Sequence, residues 1–261
     1  MIVIDDDLKK YLITLADKYE NTDFYKGDPS CVLCRYKNLA DIECASFIAA
    51  MLAFGRREQF LKKIDYIMEQ ADEYDGPARW ISDKKYLVNF IPKNTNPEKK
   101  FYRFYSWLDL VSLFDRLSEM LSQCSSFGEY IRLCHEKFFN QNLGQTICDC
   151  FKGCKIVPQS KSSANKRVHM FLRWMVRHNS PVDCGLWNWY NPADLIIPLD
   201  THVLQESIKL GLLPEKSTSS AKTARMLTDV LRQVWPDDPC KGDYALFGLG
   251  IPTRHRQPED T

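Results

Sequence analysis

The sequence predicts an all-α fold. In most segments apolar residues recur three or four positions apart, which is the spacing of a helix with one buried face. No convincing run of strictly alternating apolar and polar residues indicates a strand. The 261 residues are 44% hydrophobic, which is enough for a sizeable core in one large domain or in two lobes.

The charge balance carries no electrostatic signature of a polyanion partner. Lys and Arg number 35 against 34 Asp and Glu, so a nucleic acid would have to be held by a local basic patch. The opening residues, MIVIDDDLKK, are acidic where a secretory signal is basic. No apolar run approaches the roughly 18 residues that cross a bilayer. We therefore expect a cytoplasmic location.

Ten cysteines are scattered through the chain, and in the cytoplasm we expect them to be reduced. Cys31 and Cys34 form a lone CxxC, and Cys148, Cys150 and Cys154 cluster in ICDCFKGC. Neither group has the second pair or the spaced histidines typical of a zinc site. Buried or free thiols are the favoured interpretation, with no metal, and a metal site is the alternative.

The N-terminal part is predicted to hold a helix over residues 8–19, followed by a loop rich in turn residues. Asp41 is the predicted N-cap of the next helix, which ends near Gly55. Arg56 and Arg57 follow on a turn, ahead of another amphipathic helix. Two arginines there can contact a phosphate or a displaced base, but spacing alone favours a pair of solvated charges.

Residues 75–100 are predicted to form a surface connection, because three prolines and the polar stretch PKNTNPEKK interrupt the helical pattern. The segment FYRFYSWLDLVSLFDRLSEML, from Phe101 to Leu121, predicts a strong helix. Its first aromatic residues can stack on bases, but core packing is the favoured interpretation. A shorter helix is predicted from Phe127 to Phe138.

The most basic segment follows Pro158, where the serine-rich turn QSKSSANK leads into a helix that starts near Lys166. A polyanion would bind most readily here. Asp200 precedes a helical pattern that ends at Gly211, a residue suited to a left-handed C-cap. Pro239 opens the last helix, CKGDYALFGLG. These patterns divide the chain into an N-terminal helix and linker (1–40), a central lobe (41–157), a turn and helix (158–178), a loop (179–199), C-terminal helices (200–250) and a loosely held tail (251–261).

Three motifs carry a family resemblance: KR followed by MFLRWMVR, then IIPLDTHV, and finally DYALFGLG. Together they resemble the helix-hairpin-helix DNA glycosylases, which include endonuclease III and the archaeal 8-oxoguanine glycosylases. They also resemble a mainly bacterial family related to that superfamily. The resemblance covers about Asp41 to Gly250. It implies one glycosylase-like unit over residues 1–261, with two helical lobes and a cleft between them.

The resemblance also implies roles for individual residues. It assigns the catalytic lysine to Lys166 and the catalytic aspartate to Asp200. It brings Phe54, Arg56 and Arg57 to the cleft, with Arg56 or Phe54 as the wedge that fills the gap left by an extruded base. Further DNA or base contacts are expected from Lys161, Ser162, Ser163, Arg167, Trp187, Trp189 and His202.

Two features depart from the usual pattern of that superfamily. Serine and lysine occupy Ser160 to Ser163, where the family hairpin is rich in glycine. The stretch HNSPVDCGLWNWYNPAD is inserted between Lys166 and Asp200. Its tryptophans can line a base pocket or cover a core edge, and His202 can hydrogen-bond locally.

The implied reaction removes a damaged base from double-stranded DNA. A neutral lysine amine attacks C1′ of the extruded nucleotide, the base leaves, and the resulting imine permits β-elimination. Asp200 would stabilise positive charge on the sugar. An oxidised purine such as 8-oxoguanine is the favoured substrate. No cofactor is expected, because no cysteine follows Gly250, where some relatives hold an iron–sulfur cluster.

Two other functions stay open. The chain can be a non-catalytic nucleic-acid-binding module on a glycosylase scaffold, or an enzyme that acts on a free nucleobase or nucleoside. From spacing alone, Lys166 is more often a solvated lysine, and Asp200 is more often only a helix N-cap.

Overall fold

Helices make up most of the chain, with one two-stranded sheet, in a computed structural model that describes residues 2–25, 27–137 and 141–249. The all-α prediction is therefore confirmed. No helix within those residues combines the length and the hydropathy needed to cross a membrane.

The elements follow one another along the chain. The helices are α1 (Asp6–Tyr19), α2 (Leu39–Leu52), α3 (Arg57–Asp72), α4 (Pro77–Ser82), α5 (Tyr86–Asn89), α6 (Trp107–Leu121), α7 (Phe127–Lys137), α8 (Leu143–Cys150), α9 (Lys166–Val176), α10 (Thr201–Lys209), α11 (Ala221–Leu231) and α12 (Gly242–Leu249). The strands are β1 (Lys100–Tyr102) and β2 (Tyr105–Ser106), which pair antiparallel. Short 3-10 turns span Thr22–Tyr25, Pro29–Cys34, Pro192–Asp194 and Pro239–Lys241. Phe138, Gly250 and the tail lie outside the described residues.

The N-cap of α2 is Asn38, so the prediction of Asp41 is wrong. The Asn38 side chain accepts a hydrogen bond from the backbone N–H of Ala40 at 2.9 Å. Asparagine is as good a cap as aspartate, and the earlier position lets the helix gain nearly one more turn. Asp41 lies in that first turn instead and accepts from the N–H of Ala78 at 2.9 Å, which ties α2 to α4.

The predicted helix over Phe101 to Leu121 begins six residues later than expected. Phe101 to Ser106 form the hairpin of β1 and β2, and α6 begins at Trp107. The Ser106 hydroxyl accepts from the N–H of Asp109, whose carboxylate accepts from the N–H of Ser106. This capping box fixes the start of the helix more strongly than the aromatic pattern before it.

The predicted surface connection over residues 75–100 is also wrong in part, because it contains α4 and α5. Pro77 occupies the first turn of α4, where a proline starts a helix instead of breaking one. Trp80 and Phe90 from this stretch are fully buried. Their apolar contacts outweigh the loop-forming composition of the surrounding residues.

Helix α2 forms the centre of the core and is buried on nearly every side. It packs against α3, α4, α7 and α9. Phe47 in its middle contacts the rings of Phe127, Phe151 and Phe171, with centroids 4.7–5.1 Å apart. The contact with α9 brings the C-terminal end of α2 close to the start of α9, where Lys166 lies.

The inserted loop packs along α9. The N–H of Cys184 donates to the carbonyl oxygen of Trp174 at 2.8 Å, and the N–H of Trp187 donates to that of Met175 at 2.7 Å. Asp183 pairs with the buried guanidinium of Arg177. The insertion is therefore held against α9, and it adds Val182 and Trp187 to the buried residues.

Helix α1 packs against α12, so the first helix joins the C-terminal helices. Lys241 pairs with Asp17 at 3.0 Å. The side chain of Gln233 bonds the backbone of Ile2 and Ile4. These contacts hold the N-terminal segment against the last third of the chain.

Candidate active site

A cavity of about 670 Å³ opens where the end of α2 meets the starts of α9 and α10. Its walls are apolar at Phe54, Phe60 and Met170. Of the predicted site residues, six contribute to the lining, namely Phe54, Arg57, Ser163, Lys166, Arg167 and Asp200.

Lys166 and Asp200 form an ion pair in this cavity, with Nζ 3.2 Å from Oδ2. Lys166 is the first residue of α9, as predicted, and Asp200 is the N-cap of α10. The other carboxylate oxygen, Oδ1, accepts from the N–H of Val203 at 2.8 Å. The lysine side chain is 33% exposed and the aspartate side chain 27%, so both are reachable from the cavity. Asp200 is thus a helix cap and the partner of an amine at once.

Arg173 and Asp243 form a second ion pair in the lining, 2.5 Å apart. Both residues are buried. Burial raises the pKa of Asp243 to about 6, although Arg173 lowers it, and the nearby Asp200 carboxylate raises it further. The cavity therefore offers a buried guanidinium and a buried carboxyl group beside the ion pair of Lys166 and Asp200.

Sequence reasoning did not single out Arg173 or Asp243 as site residues. Arg173 follows Lys166 by seven positions, which is two helical turns, so both lie on one face of α9 with Met170 between them. That spacing was a usable signal. The sequence carries no such signal for Asp243, because only the packing of α12 brings this residue close to Arg173.

Arg167 holds the wall of the cavity. Its guanidinium lies over the ring of Phe54, 4.9 Å from the centroid. It donates to the carbonyl oxygen of Met51 and to the hydroxyl of Tyr105, the latter at 3.1 Å. These bonds commit Arg167 to joining α9, α2 and the hairpin.

Phe54 is half-buried against the hairpin. Its ring contacts Tyr102, Phe104 and Tyr105, with centroids 5.1–5.4 Å apart. These contacts fix the ring as part of the wall. Arg56 is exposed at the N-cap position of α3 and lies outside the cavity lining.

Arg57 and the hairpin-like turn differ in how they meet the cavity. Arg57 lines it, with Nη2 3.9 Å from Asp28. Lys161 and Ser162 lie outside the lining, whereas Ser163 belongs to it. The carbonyl oxygen of Ser162 accepts from the N–H of Ala221 at 2.8 Å, so the turn is held against the start of α11.

Trp187, Trp189 and His202 do not line the cavity. Trp187 is 1% exposed and stacks on Trp189, with ring centroids 5.5 Å apart. Its large ring is buried in the core behind α9, which fits the alternative in which the inserted tryptophans cover a core edge. His202 packs edge-on against Phe247 at 6.4 Å, and its Nε2 has no hydrogen-bond partner within the described residues.

The cysteines are all free thiols. Cys31 and Cys34 are exposed, whereas Cys148, Cys150 and Cys154 are buried. In the described ranges, no three His, Cys, Asp or Glu side chains come together as a metal site. Burial raises the pKa of Cys148 to about 12, which favours the thiol over the thiolate that metals bind.

Fold and site together define a mostly helical protein with an open cavity that holds a lysine–aspartate pair. The chain belongs to the family described as "Protein of unknown function (DUF2400)", whose profile matches residues 28–252. No curated protein and no solved structure matches the chain.

Proposed function

We propose that this protein is a DNA N-glycosylase with β-lyase activity that removes a damaged base through an imine at Lys166. The observation that carries the proposal is the 3.2 Å approach of Lys166 to Asp200 within an open cavity of about 670 Å³. That volume lies within the range of roughly 300–1,000 Å³ typical of small-ligand sites. It is large enough to take an extruded nucleotide.

The proposal includes a two-lobed helix-hairpin-helix arrangement. Helices α2 to α8 would form one lobe, and α10 to α12 with α1 the other. The packing of α1 on α12 supports this division, as does the position of the cavity between the ends of α2 and α10. Helix α9 would join the lobes, with Lys166 at its first position.

The first step needs a neutral amine at Lys166. The Asp200 carboxylate is near enough to accept its proton. The amine then attacks C1′ of the nucleotide, and the bond from C1′ to the base breaks as the base leaves with the electron pair and takes up a proton. Asp200 stabilises the positive charge that develops on the sugar.

Imine formation and strand cleavage follow from the same adduct. The nitrogen, positively charged after its attack, first gives up one of its two protons, and its lone pair then forms the C=N bond as the C1′–O4′ bond breaks and O4′ takes up a proton. Removal of a proton from C2′ then drives elimination, in which the C3′–O bond breaks and the 3′ phosphate leaves. Water finally hydrolyses the imine and restores Lys166.

An oxidised purine is the favoured base. It carries an N–H group at a position where the ordinary purine has only an acceptor. The buried Asp243 carboxyl in the cavity wall can accept from such a group, and Arg173 can donate to a carbonyl oxygen. The apolar surfaces of Phe54 and Phe60 support the flat faces of the base.

Borohydride trapping tests the proposal. Purified protein is incubated with labelled duplexes that bear 8-oxoguanine or an abasic site, then reduced and examined for a covalent adduct. We expect an adduct with the wild type and with Lys222→Gln, the matched change at an exposed lysine outside the cavity lining. We expect none with Lys166→Gln. An adduct that persists in Lys166→Gln would remove the imine mechanism.

The near-neutral net charge favours a second candidate, an enzyme that acts on a free nucleobase or nucleoside. The two functions differ in their response to salt. Binding of duplex DNA releases counterions and weakens steeply as salt rises, whereas binding of a small neutral ligand does not. Salt titration of binding to a lesion duplex and to the free base separates them. A non-catalytic DNA-binding module would show the salt dependence without the adduct.

A further inference from the structure

A second groove, of about 520 Å³, lies between α3 and the β1–β2 hairpin. Its lining includes Lys62, Lys63, Tyr66, Phe101, Tyr102 and Arg103. We call it the outer groove. None of its lining residues is acidic, in a chain whose positive and negative charges almost balance. The groove is therefore a local concentration of positive charge.

Helical spacing puts the cations of α3 on one side. Tyr66 follows Lys62 by four positions and Lys63 by three, so each lysine is a neighbour of Tyr66 on the surface of the helix. The Nζ atom of Lys63 lies over the ring of Phe101, 4.6 Å from its centroid. In the part of the chain that the structure describes, neither lysine has an ion-pair partner. Both charges are available to an anion.

Arg103 forms the opposite wall, at the turn of the hairpin. Its φ of 51° is uncommon for a residue with a side chain and turns the chain sharply between β1 and β2. No carboxylate pairs with it among the described residues. The groove thus has basic groups from α3 and from the hairpin, above the buried rings of Phe101 and Tyr102.

The outer groove and the candidate active-site cavity share a wall at Gly55. Gly55 lines the cavity, while Tyr102 and Arg103 line the groove. A Cβ atom at Gly55 would lie 2.8 Å from the Tyr102 hydroxyl oxygen and 2.9 Å from Nη1 of Arg103. The Tyr102 hydroxyl also donates to the carbonyl oxygen of Phe54. The cavity and the outer groove are therefore adjacent at this turn.

We propose that the outer groove binds a few nucleotides of the nucleic-acid strand that flanks the nucleotide in the cavity. This inference rests on the proposed function, because that function puts a nucleotide in the cavity from which the flanking strand continues. The lysines and Arg103 would contact the phosphates of that strand, as cations do in single-strand binding grooves. The groove adjoins, at Gly55, the cavity that is proposed to hold a nucleotide, so the phosphates of the flanking strand fit these cations better than an acidic peptide does.

A matched pair of double variants tests the groove. Lys62→Ala with Lys63→Ala removes its lysines. Lys84→Ala with Lys85→Ala is the control, because these are also adjacent lysines and Lys85 also lies over an aromatic ring, that of Tyr74 at 5.9 Å. Affinity is measured by fluorescence anisotropy, with a labelled single strand of mixed sequence and a duplex that bears a stable abasic-site analogue.

We expect the groove variant to bind both probes at least tenfold more weakly at low salt. The slope of log affinity against log salt concentration should become shallower by about one to two units, because one or two phosphate contacts are lost. The control should match the wild type. Equal affinity and equal slope in all three proteins would overturn the proposal, and so would equally strong competition by polyglutamate and by an unlabelled oligonucleotide.

Photocrosslinking locates the contact independently. With bromodeoxyuridine placed beside the abasic-site analogue, we expect crosslinked peptides that contain residues 59–66 or 101–103. Crosslinks confined to other segments would refute the groove.

The two proposals fail in different ways. If borohydride gives no adduct but the groove variant loses affinity, the glycosylase function fails and the groove stands. If the adduct depends on Lys166 but the groove variant binds both probes as tightly as the wild type, the proposal for the groove is wrong and the glycosylase function stands.

Discussion

The indole N–H of Trp187 donates to a carboxylate oxygen of Glu43 at 2.7 Å, a contact between residues 144 positions apart in the sequence. The other oxygen of Glu43 accepts from the N–H of Gly128 at 2.9 Å. Burial raises the pKa of Glu43, while these hydrogen bonds lower it. One buried carboxyl group thus joins the inserted loop, the start of α7 and the central helix α2.

Replacing Glu43 by Gln should lower the free energy of unfolding by about 1–3 kcal/mol. The amide nitrogen of Gln would face an N–H donor and leave one buried donor without an acceptor. Trp187→Phe should cost a similar amount, and Trp189→Phe, at the half-exposed neighbour, should cost less. Urea unfolding measures all three. A Trp187→Phe protein of normal stability that fails to cut DNA would instead indicate a base contact.

Asp200 has two roles that two substitutions can separate. Asp200→Asn removes the charge opposite Lys166 but keeps a good N-cap for α10, so stability should change little while imine trapping falls at least tenfold. Asp200→Ala removes both and should cost about 1 kcal/mol more. Thermal unfolding and borohydride trapping follow the two effects. Full trapping by Asp200→Asn would show that the carboxylate acts only as a cap.

Gly55→Ala should destabilise the shared wall of the cavity and the outer groove. Its φ is +86°, and the added Cβ would meet Tyr102 and Arg103. Gly153→Ala is the matched control, because Gly153 has a φ of +88° and an added Cβ there would have nothing within 4 Å. The control therefore measures only the free-energy cost of placing alanine at a positive φ, which is about 1–2 kcal/mol. Urea unfolding should show a larger loss for Gly55→Ala, and equal losses would contradict the contact.

His169 should make the protein less stable in acid. Burial lowers the pKa of His169 to about 4, and Arg225 lowers it further. The neutral ring therefore contributes stability that is complete above pH 6.5 and is lost as the pH falls towards 4. Between about pH 7 and pH 4.5, His169→Gln should lose less stability than the wild type, by about 2–3 kcal/mol. Urea unfolding at both pH values measures this difference. Equal losses of unfolding free energy in the two proteins would contradict it.

Asp243 should respond to pH with the opposite sign. Because burial raises its pKa to about 6, the folded protein holds a proton on Asp243 more readily than the unfolded chain does. Its contribution is complete below its ordinary pKa of 3.8 and is lost as the pH rises through 6. The wild type should therefore lose stability as the pH rises from about 4 to 7, and Asp243→Asn should not show that loss. Urea unfolding of this variant and of the wild type at both pH values checks the sign.

Local signals in the sequence were enough to predict the helix that starts at Lys166 and the cap at Asp200. Both depend on neighbouring residues, so periodicity and capping preference carry the information. The N-cap of α2 was misplaced because Asn38 and Asp41 are equally suitable residues and only the tertiary contact of Asp41 with Ala78 separates them.

Features made by distant residues could not be predicted in this way. The hairpin of β1 and β2 is too short to show alternation, and its aromatic residues continue the helical pattern of α6. Glu43 lies in an apolar helix, and nothing in the sequence around it indicates that its partner is Trp187. The pairing of Arg173 with Asp243 likewise depends on how α12 packs against α9.

The packing of α1 on α12 has a consequence for the order of folding. Tyr19 lies so close to Gly248 that a Cβ there would be only 2.1 Å from its ring. Contacts between residues this far apart in sequence close a very long loop and form late. During synthesis on the ribosome, the apolar face of α1, with Leu12 and Leu15, must therefore wait for α12 to emerge. Until then this apolar face stays exposed on the growing chain.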